Sequence, residues 1–330
     1  MIPDLHSRAT PSPNAATSQQ ALSDLEQAVR RAMAAQLQPL RNELTELRRT
    51  AAIPGVVYQA FRMAYFRGRT EPLTIPNIDY FLFAALMNGI QFVSYDATTK
   101  RMVLTKDGVR FATDAYFYVL LELFAQEEYR SLRALVDRPF VIYDVGMNRG
   151  YAALWFASHP ACRAVYGFEL FDVPYQWALD NIALNPTLAP KITPFCIGLG
   201  GENKTAELIY EEASDGVSTI MPEFYASYWT PERKRQSQKK TVQIKKASDA
   251  FATLPPTQTG ELRVLKLDVE GAEYEIVEDL ARAKRLNFDI ILAEAHLGLD
   301  RFLSLLPGYR CVETVRHSDL MANVVLVRDA

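Results

Sequence analysis

From Pro139 onward, short apolar runs alternate with amphipathic stretches, and few folds accept such a chain. Val141–Val145, Val165–Phe168, Ile192–Ile197, Leu262–Leu267 and Ile290–Ala293 are near-continuous apolar runs, as strands buried on both faces require. Tyr151–Ser158, Val173–Leu184, Ala272–Ala283 and Leu299–Leu306 carry helical periodicity and separate most of them. Alternation of this kind builds a parallel sheet with helices on both faces. The last two strand-like runs, Arg310–Val315 and Asn323–Val327, flank a turn-prone His317-Ser318-Asp319. They predict an antiparallel hairpin on one edge of the sheet. The expected class is α/β, with a mostly parallel sheet.

In such a sheet a ligand sits outside the carboxyl ends of the strands, where the strand order reverses. The first run leads straight into Asp144-Val-Gly146-Met-Asn148-Arg-Gly150-Tyr151. Glycine permits a positive φ and lets a ligand approach the backbone. A dinucleotide site wants G-x-G-x-x-G. Counted from Gly146, Asn148 and Tyr151 stand where the second and third glycines belong. An NAD-dependent oxidoreductase is disfavoured on these positions. The D-x-G-x-x-x-G spacing suits a cofactor without a pyrophosphate, such as S-adenosylmethionine (SAM), held at its amino-acid end by loop backbone and a carboxylate. The second run ends in Glu169, where a carboxylate can accept both ribose hydroxyls. The third run ends at Ile197 and enters Gly198-Leu-Gly200, close to the expected adenine. The candidate cofactor-binding residues are Asp144, Gly146, Asn148, Gly150, Glu169 and Ile197.

The reaction side gathers at two later strand ends. Leu265-Lys266-Leu-Asp268-Val-Glu270-Gly-Ala-Glu273 places three carboxylates just past a buried strand. An acid in the first turn of a helix favours the helix dipole, which accounts for Glu273 without chemistry. Lys266 lies inside an apolar strand and needs a partner, with Glu270 and Glu294 as candidates. The next strand ends Ala293-Glu294-Ala-His296, and alternation puts Glu294 and His296 on one side. His296 is the candidate general base, because an imidazole titrates near working pH. Asp268 either orients it or binds the acceptor. Glu270 and Glu294 are candidate acceptor-binding residues. Asp268, Glu270 and Glu294 could instead hold Mg²⁺, which favours oxygen ligands, although a metal is not the favoured reading.

Ahead of this domain the texture differs. Residues 1–18 are rich in Pro, Ser and small residues and predict a mobile tail. Leu22, Leu25, Val29, Met33, Leu37, Leu40, Leu44 and Leu47 form one helical stripe, broken at Pro39. That stripe fits either a coiled-coil arm joining a homo-oligomer through residues 20–50 or a helix packed on its own domain. Residues 54–138 predict helices at Val56–Arg67, Ile75–Met87 and Ala115–Leu135, with strands around a hairpin turn at Asp107-Gly108. The domain reading is therefore 1–50 tail and amphipathic helix, 51–138 helical accessory region with a β-hairpin, and 139–330 catalytic domain.

Composition removes other classes. A net charge of −3 gives no positive excess to neutralise phosphates, so no nucleic-acid partner is expected. The longest near-continuous apolar run, Ala115–Ala125, contains Glu122 and is too short to span a membrane. Three dispersed cysteines make neither a disulfide framework nor a zinc knuckle. With no readable secretory signal, the expected compartment is cytoplasmic. The basic stretch Arg233–Lys246 reads as a solvated loop and edge strand, or as a contact for an anionic substrate.

Roughly residues 100–300 resemble the FkbM-type family of SAM-dependent methyltransferases. The resemblance rests on Asp144-Val-Gly-Met-Asn-Arg-Gly150, Phe168-Glu169, Asn181-Ile-Ala-Leu-Asn185, Gly198-Leu-Gly200, Val217-Ser-Thr219, Leu265–Glu273 and Glu294-Ala-His296. The hairpin and Glu127-Glu128-Tyr129 match the family's lead-in. The family often has Ala where Met147 stands and Pro where Leu170 stands. The resemblance implies a class I methyltransferase fold with a seven-stranded sheet. It also implies O-methylation of a sugar, glycan or natural-product acceptor. The alternative is a catalytically inactive SAM-fold scaffold acting through its N-terminal helix. The presence of Gly146, Gly150, Glu169 and Asp268 speaks against it.

Overall fold

The computed structural model describes residue 85 and residues 88–96, 98–114, 118–210 and 237–329. All of them belong to one compact unit, Glu71–Ala330. The expected tail, the leucine stripe, the helix Val56–Arg67, most of Ile75–Met87, Val217-Ser-Thr219 and residues 233–236 lie outside the described residues.

The lead-in is an antiparallel meander of β1 (Gln91–Asp96), β2 (Arg101–Lys106) and β3 (Val109–Thr113). Asp107 and Gly108 take φ of 50° and 83°, the left-handed pair that a tight two-residue hairpin turn needs. Instead of one helix over Ala115–Leu135, two short ones form, α1 (Tyr118–Phe124) and α2 (Arg130–Leu135). The break has tertiary causes. Tyr129 packs its ring on Trp155 and Phe156, at centroid distances of 6.2 and 5.1 Å. Glu128 accepts a 2.6 Å hydrogen bond from Asn323 Nδ2. Between the helices, Glu127 turns to φ 52°.

The catalytic layer follows. It runs β4 (Phe140–Val145), α3 (Tyr151–Ser158), β5 (Cys162–Phe168), α4 (Asp172–Ala183), β6 (Ile192–Phe195), β7 (Gly198–Gly200) and β8 (Lys204–Tyr210). It continues with β9 (Gln238–Lys246), α5 (Ala247–Ala252), β10 (Leu262–Leu267), α6 (Glu273–Arg282), β11 (Ile290–Ala295), α7 (Leu299–Ser304), β12 (Tyr309–Arg316) and β13 (Ala322–Arg328). The main sheet has seven strands in the order β12-β13-β11-β10-β4-β5-β6. Only β13 runs against the other strands, antiparallel to β11 on one side and to β12 on the other, which makes the expected terminal hairpin. From β4 the chain moves one way to β5 and β6, then returns to the other side as β10 and β11. The strand order thus reverses between β4 and β10, and the crevice above their carboxyl ends is the ligand position for this topology.

One departure concerns β6, which ends at Phe195 rather than Ile197. Gly198–Gly200 leaves the main sheet and pairs with β9, completing a second, three-stranded sheet in the order β7-β9-β8. Behind the crevice the core is aromatic. Tyr143 packs on Tyr166, Phe251 and Phe288 at centroid distances of 5.0–5.6 Å. Burying each such side chain contributes roughly 1.5–3 kcal/mol.

The meander is held to this layer by α4. Asn181 of α4 and Asn185, just past its end, reach the outer edge of β3. Asn181 Oδ1 accepts from Ala112 N at 2.6 Å, and its Nδ2 donates to Arg149 O at 2.9 Å. Asn185 Oδ1 accepts from Arg110 N, and its Nδ2 donates to Arg110 O. Tyr151 Oη donates to Ala112 O at 2.7 Å. Side chains thereby satisfy the backbone groups of Arg110 and Ala112 that β2 cannot reach, so this sheet edge is closed.

Candidate active site

Above the switch point lies a cavity of about 490 Å³, within the range of small-ligand sites. One end is built by the loop after β4. Gly146 takes φ 85°, and its amide donates to Phe168 O at 3.0 Å. A Cβ on Gly146 would overlap the carbonyl oxygen of Asp268. The glycine is therefore required by the neighbouring strand end rather than by a ligand alone. Gly150, at φ 79°, faces Ala178 of α4, which a Cβ would approach to 3.1 Å. Asn148 also adopts a left-handed φ of 51°. Its amide donates to Glu169 Oε2 at 2.7 Å, and Phe171 N donates to Glu169 Oε1 at 2.9 Å. These bonds occupy two of the roughly four acceptor positions of a carboxylate and fix its direction at the cavity wall.

Met147 is buried and lies over Gly167 of β5, where a Cβ would overlap its sulfur. The missing side chain at Gly167 makes room for the longer residue. Of the proposed cofactor residues, Gly146, Asn148 and Glu169 line the cavity. Asp144, Gly150 and Ile197 do not. Gly150 sets the turn, and Ile197 packs at the margin of the main core. Because β6 ends early, Gly198 and Leu199 form the wall where Ile197 was expected.

Lys266 finds partners other than Glu270 and Glu294. The register of β10 on β4 places it beside Asp144. Its Nζ stands 3.2 Å from Asp144 Oδ1 and 3.4 Å from Asp268 Oδ2, and donates to Gly146 O at 2.6 Å. Burial works against its charge, but the two carboxylates outweigh burial and hold its pKa above the ordinary value. Burial raises Asp144 as well, against the opposing pull of Lys266. The lysine ties the glycine loop to the Asp268 turn.

At the other end of the cavity stands His296, 1% exposed. Its Nδ1 is 2.9 Å from Glu273 Oε1, and its Nε2 is 3.1 Å from Glu270 Oε2 and 3.9 Å from Glu294 Oε2. Burial alone would lower the imidazole pKa. The hydrogen bonds to Glu270 and Glu273 reverse that and push it up to about 11. Both ring nitrogens thus face carboxylates, an arrangement that favours the imidazolium over a free general base.

Glu273 is more than a helix-dipole acid. Fully buried, it accepts from Val269 N at 3.0 Å and Gly271 N at 3.0 Å while holding His296. Asp268 does not reach the imidazole as an orienting group; Glu273 has that place.

The remaining wall is acidic. Glu122 and Glu128 are each pushed up to about 7 by burial and then by the charge of Asp268. Glu294 is pushed up to about 9 by burial, with Asp268 next. Glu122, Glu128 and Tyr129 come from α1 and the break before α2, which sequence periodicity reads as one continuous helix. The described part of the basic stretch pairs with acids outside the cavity: Lys239 with Glu207, Lys240 with Asp172 and Lys246 with Asp279. Among the described residues no helix is long and apolar enough to cross a membrane.

A sequence model of the family described as the methyltransferase FkbM domain matches residues 144–311, just over half of the 330-residue chain. A search of curated proteins gives no match. Solved structures are similar at low identity. The FkbM methyltransferase of Methylobacillus flagellatus KT is 14% identical, with 76% of this chain and 58% of that chain covered and a TM-score of 0.36. Trm5b of Pyrococcus abyssi is 11% identical, with 70% and 56% covered and a TM-score of 0.40. TrmK of M. capricolum, solved with S-adenosyl-homocysteine, is 11% identical, with 61% and 67% covered and a TM-score of 0.33. With the glycine loop, the strand order and the family match in agreement, the chain belongs to the FkbM family of SAM-dependent methyltransferases.

Proposed function

We propose that the protein is an O-methyltransferase acting on a hydroxyl of a sugar, glycan or natural-product acceptor. The carrying observation is the group Asp268, Glu270, Glu294 and His296 in the cavity that the glycine loop also lines. Carboxylates there accept hydrogen bonds, and a hydroxyl acceptor brings a donor that must also be deprotonated.

The cavity fits SAM at its other end. Glu169 offers oriented acceptor oxygens for ribose hydroxyls, Gly146 and Met147 bring the loop backbone close, and Leu199 supplies an apolar wall. Bound SAM supplies a methyl group already activated on a sulfonium. The chain's own residues then align and deprotonate. Alignment of the two partners is the larger part of the gain, because it removes the entropy cost of their encounter. Asp268 stands where the two ends of the cavity meet, fixed by Lys266 on its side chain and by Gly146 under its carbonyl. Glu294 faces the cavity and makes no hydrogen bond among the described residues. The positive charge of a bound sulfonium would favour its ionised form, and the carboxylate would then take the hydroxyl proton, while passage of the methyl from sulfur to oxygen would leave the cofactor neutral. With no metal beside it, His296 as imidazolium keeps the neighbouring carboxylates from repelling one another. The test is methyl transfer from isotopically labelled SAM to a panel of glycan and natural-product hydroxyl acceptors, read by mass spectrometry. Glu294→Gln is expected to lower turnover by about 10²–10⁴-fold, with SAM binding retained. Full turnover in Glu294→Gln removes it as the base.

A further inference from the structure

The three-carboxylate cation site suggested by the sequence is not the set that converges. The donor atoms that meet are one oxygen each of Asp268 and Glu270 and a ring nitrogen of His296, all within 4.8 Å of one another. We propose that these three residues bind a first-row transition divalent cation that holds the acceptor hydroxyl. This inference rests on the O-methyltransferase reading for the role of the metal, but not for its binding.

The spacing fits. Adjacent donors around an ion with bonds of about 2.1 Å lie roughly 3.0 Å apart in an octahedron and about 3.4 Å apart in a tetrahedron. His296 Nε2 and Glu270 Oε2 are already 3.1 Å apart. The other donor separations stay within 4.8 Å, a span that an ion bound at the centre closes by small side-chain adjustments. The chemistry of the set selects the ion class. An imidazole nitrogen with two carboxylates suits manganese, iron or zinc, whereas Mg²⁺ and Ca²⁺ favour oxygen throughout.

The surroundings support the site. Metal-bound histidines typically give their other nitrogen to a carboxylate, which fixes the ring and the tautomer. Glu273 does this for His296 from a fully buried position and is anchored in turn by two backbone amides. Independently, the cavity is short of positive charge. Glu122, Glu127, Glu128, Asp268, Glu270, Glu294 and Glu313 face it. Among the described residues the only cations lining it are Arg130, Lys266 and the histidines, and Lys266 is committed to Asp144 and Asp268. A divalent ion displaces the proton from His296 Nε2 to solvent and compensates that excess where it is densest. Three protein ligands leave open positions, so a hydroxyl can coordinate and lose its proton more readily, with Glu294 alongside to receive it.

The experiment uses the full chain, stripped with chelator and titrated with Mn²⁺ by calorimetry and by loss of the free-ion electron paramagnetic resonance signal. One saturable site is expected. Asp268→Asn and His296→Asn should each weaken it at least 100-fold, and Glu273→Gln should weaken it about 10–100-fold. Glu313→Gln, outside the trio, should leave it unchanged. Retained SAM binding in each variant shows that the fold survives. Absence of saturable Mn²⁺ binding at millimolar ion, or equal binding in the trio variants, overturns the site. Methyl transfer that persists undiminished in chelator overturns the metal's role while leaving the O-methyltransferase reading intact. Mn²⁺ binding without transfer to any hydroxyl acceptor does the reverse.

Discussion

Two asparagines of one motif, truncated alike, should leave different backbone groups without partners. Asn181→Ala removes the acceptor for Ala112 N–H and the donor for Arg149 C=O. Both partners are buried residues, and Asn181 itself has no exposure. Water cannot replace either bond without opening the contact between β3 and α4. An unsatisfied buried group costs about 1–3 kcal/mol, so two cost roughly 2–6 kcal/mol. Asn185→Ala removes three backbone bonds, to Arg110 N, Arg110 O and the buried Asn181 O. Arg110 is exposed, and water can take over its two, so only the bond at Asn181 O is lost outright. The net value of a solvent-replaceable hydrogen bond is about 0.5–1.5 kcal/mol. Urea unfolding of both variants, compared through midpoint and slope, measures the difference. Amide exchange at Ala112 should accelerate in Asn181→Ala. A cost below about 1 kcal/mol for Asn181→Ala, or unchanged amide exchange at Ala112, would refute the argument that burial of the partners sets the penalty.

Other outcomes follow from the site. Gly146→Ala forces a side chain onto a left-handed backbone and into the Asp268 carbonyl. SAM affinity by calorimetry should fall at least about tenfold, equivalent to roughly 1.4 kcal/mol, and unchanged affinity would contradict the packing account. Gly167→Ala should cost about 1–3 kcal/mol by overpacking against Met147; adding Met147→Ala should recover most of it, whereas strict additivity would show that the two do not share the space. Glu294 has an ordinary carboxyl value of 4.5 and is held at about 9 when folded. The folded state keeps a proton that the unfolded chain gives up, so this destabilisation is absent below 4.5 and grows until pH passes 9. In chelator-treated protein, Glu294→Gln should therefore raise the denaturation midpoint more at about pH 8 than at about pH 5. An equal or opposite change at the two would reject the shift.

Features governed by local pattern were readable from sequence. Leu262–Leu267 is the strand expected, residue for residue, because its apolar run is bounded on both sides by polar turns. Asp107-Gly108 makes its turn because few other pairs accept two left-handed residues. What escaped depends on contacts between distant segments. Lys266 needed a partner, but only the register of β10 on β4 reveals Asp144. Glu273 had a sufficient local reason to exist at a helix start, so nothing in the sequence asked for its bond to His296. The same bond, with Glu270 on the far side, is what takes the free-base role from His296. Asn181 and Asn185 carried the family resemblance without a visible task; one lies near the end of α4 and the other just beyond it, and both reach β3. The helix break near Glu127 follows from the seats of Glu128 and Tyr129, which belong to β13 and α3.

The central claim is that this cavity joins SAM to a hydroxyl acceptor across Asp268. Its most direct measurement is the reaction of the full chain with methyl-labelled SAM and the acceptor panel, with the labelled atom located by mass spectrometry and NMR. The account predicts label on an acceptor oxygen, with transfer lost in Glu294→Gln and SAM binding lost in Gly146→Ala. Label on nitrogen or carbon, or transfer that survives both substitutions, would contradict it.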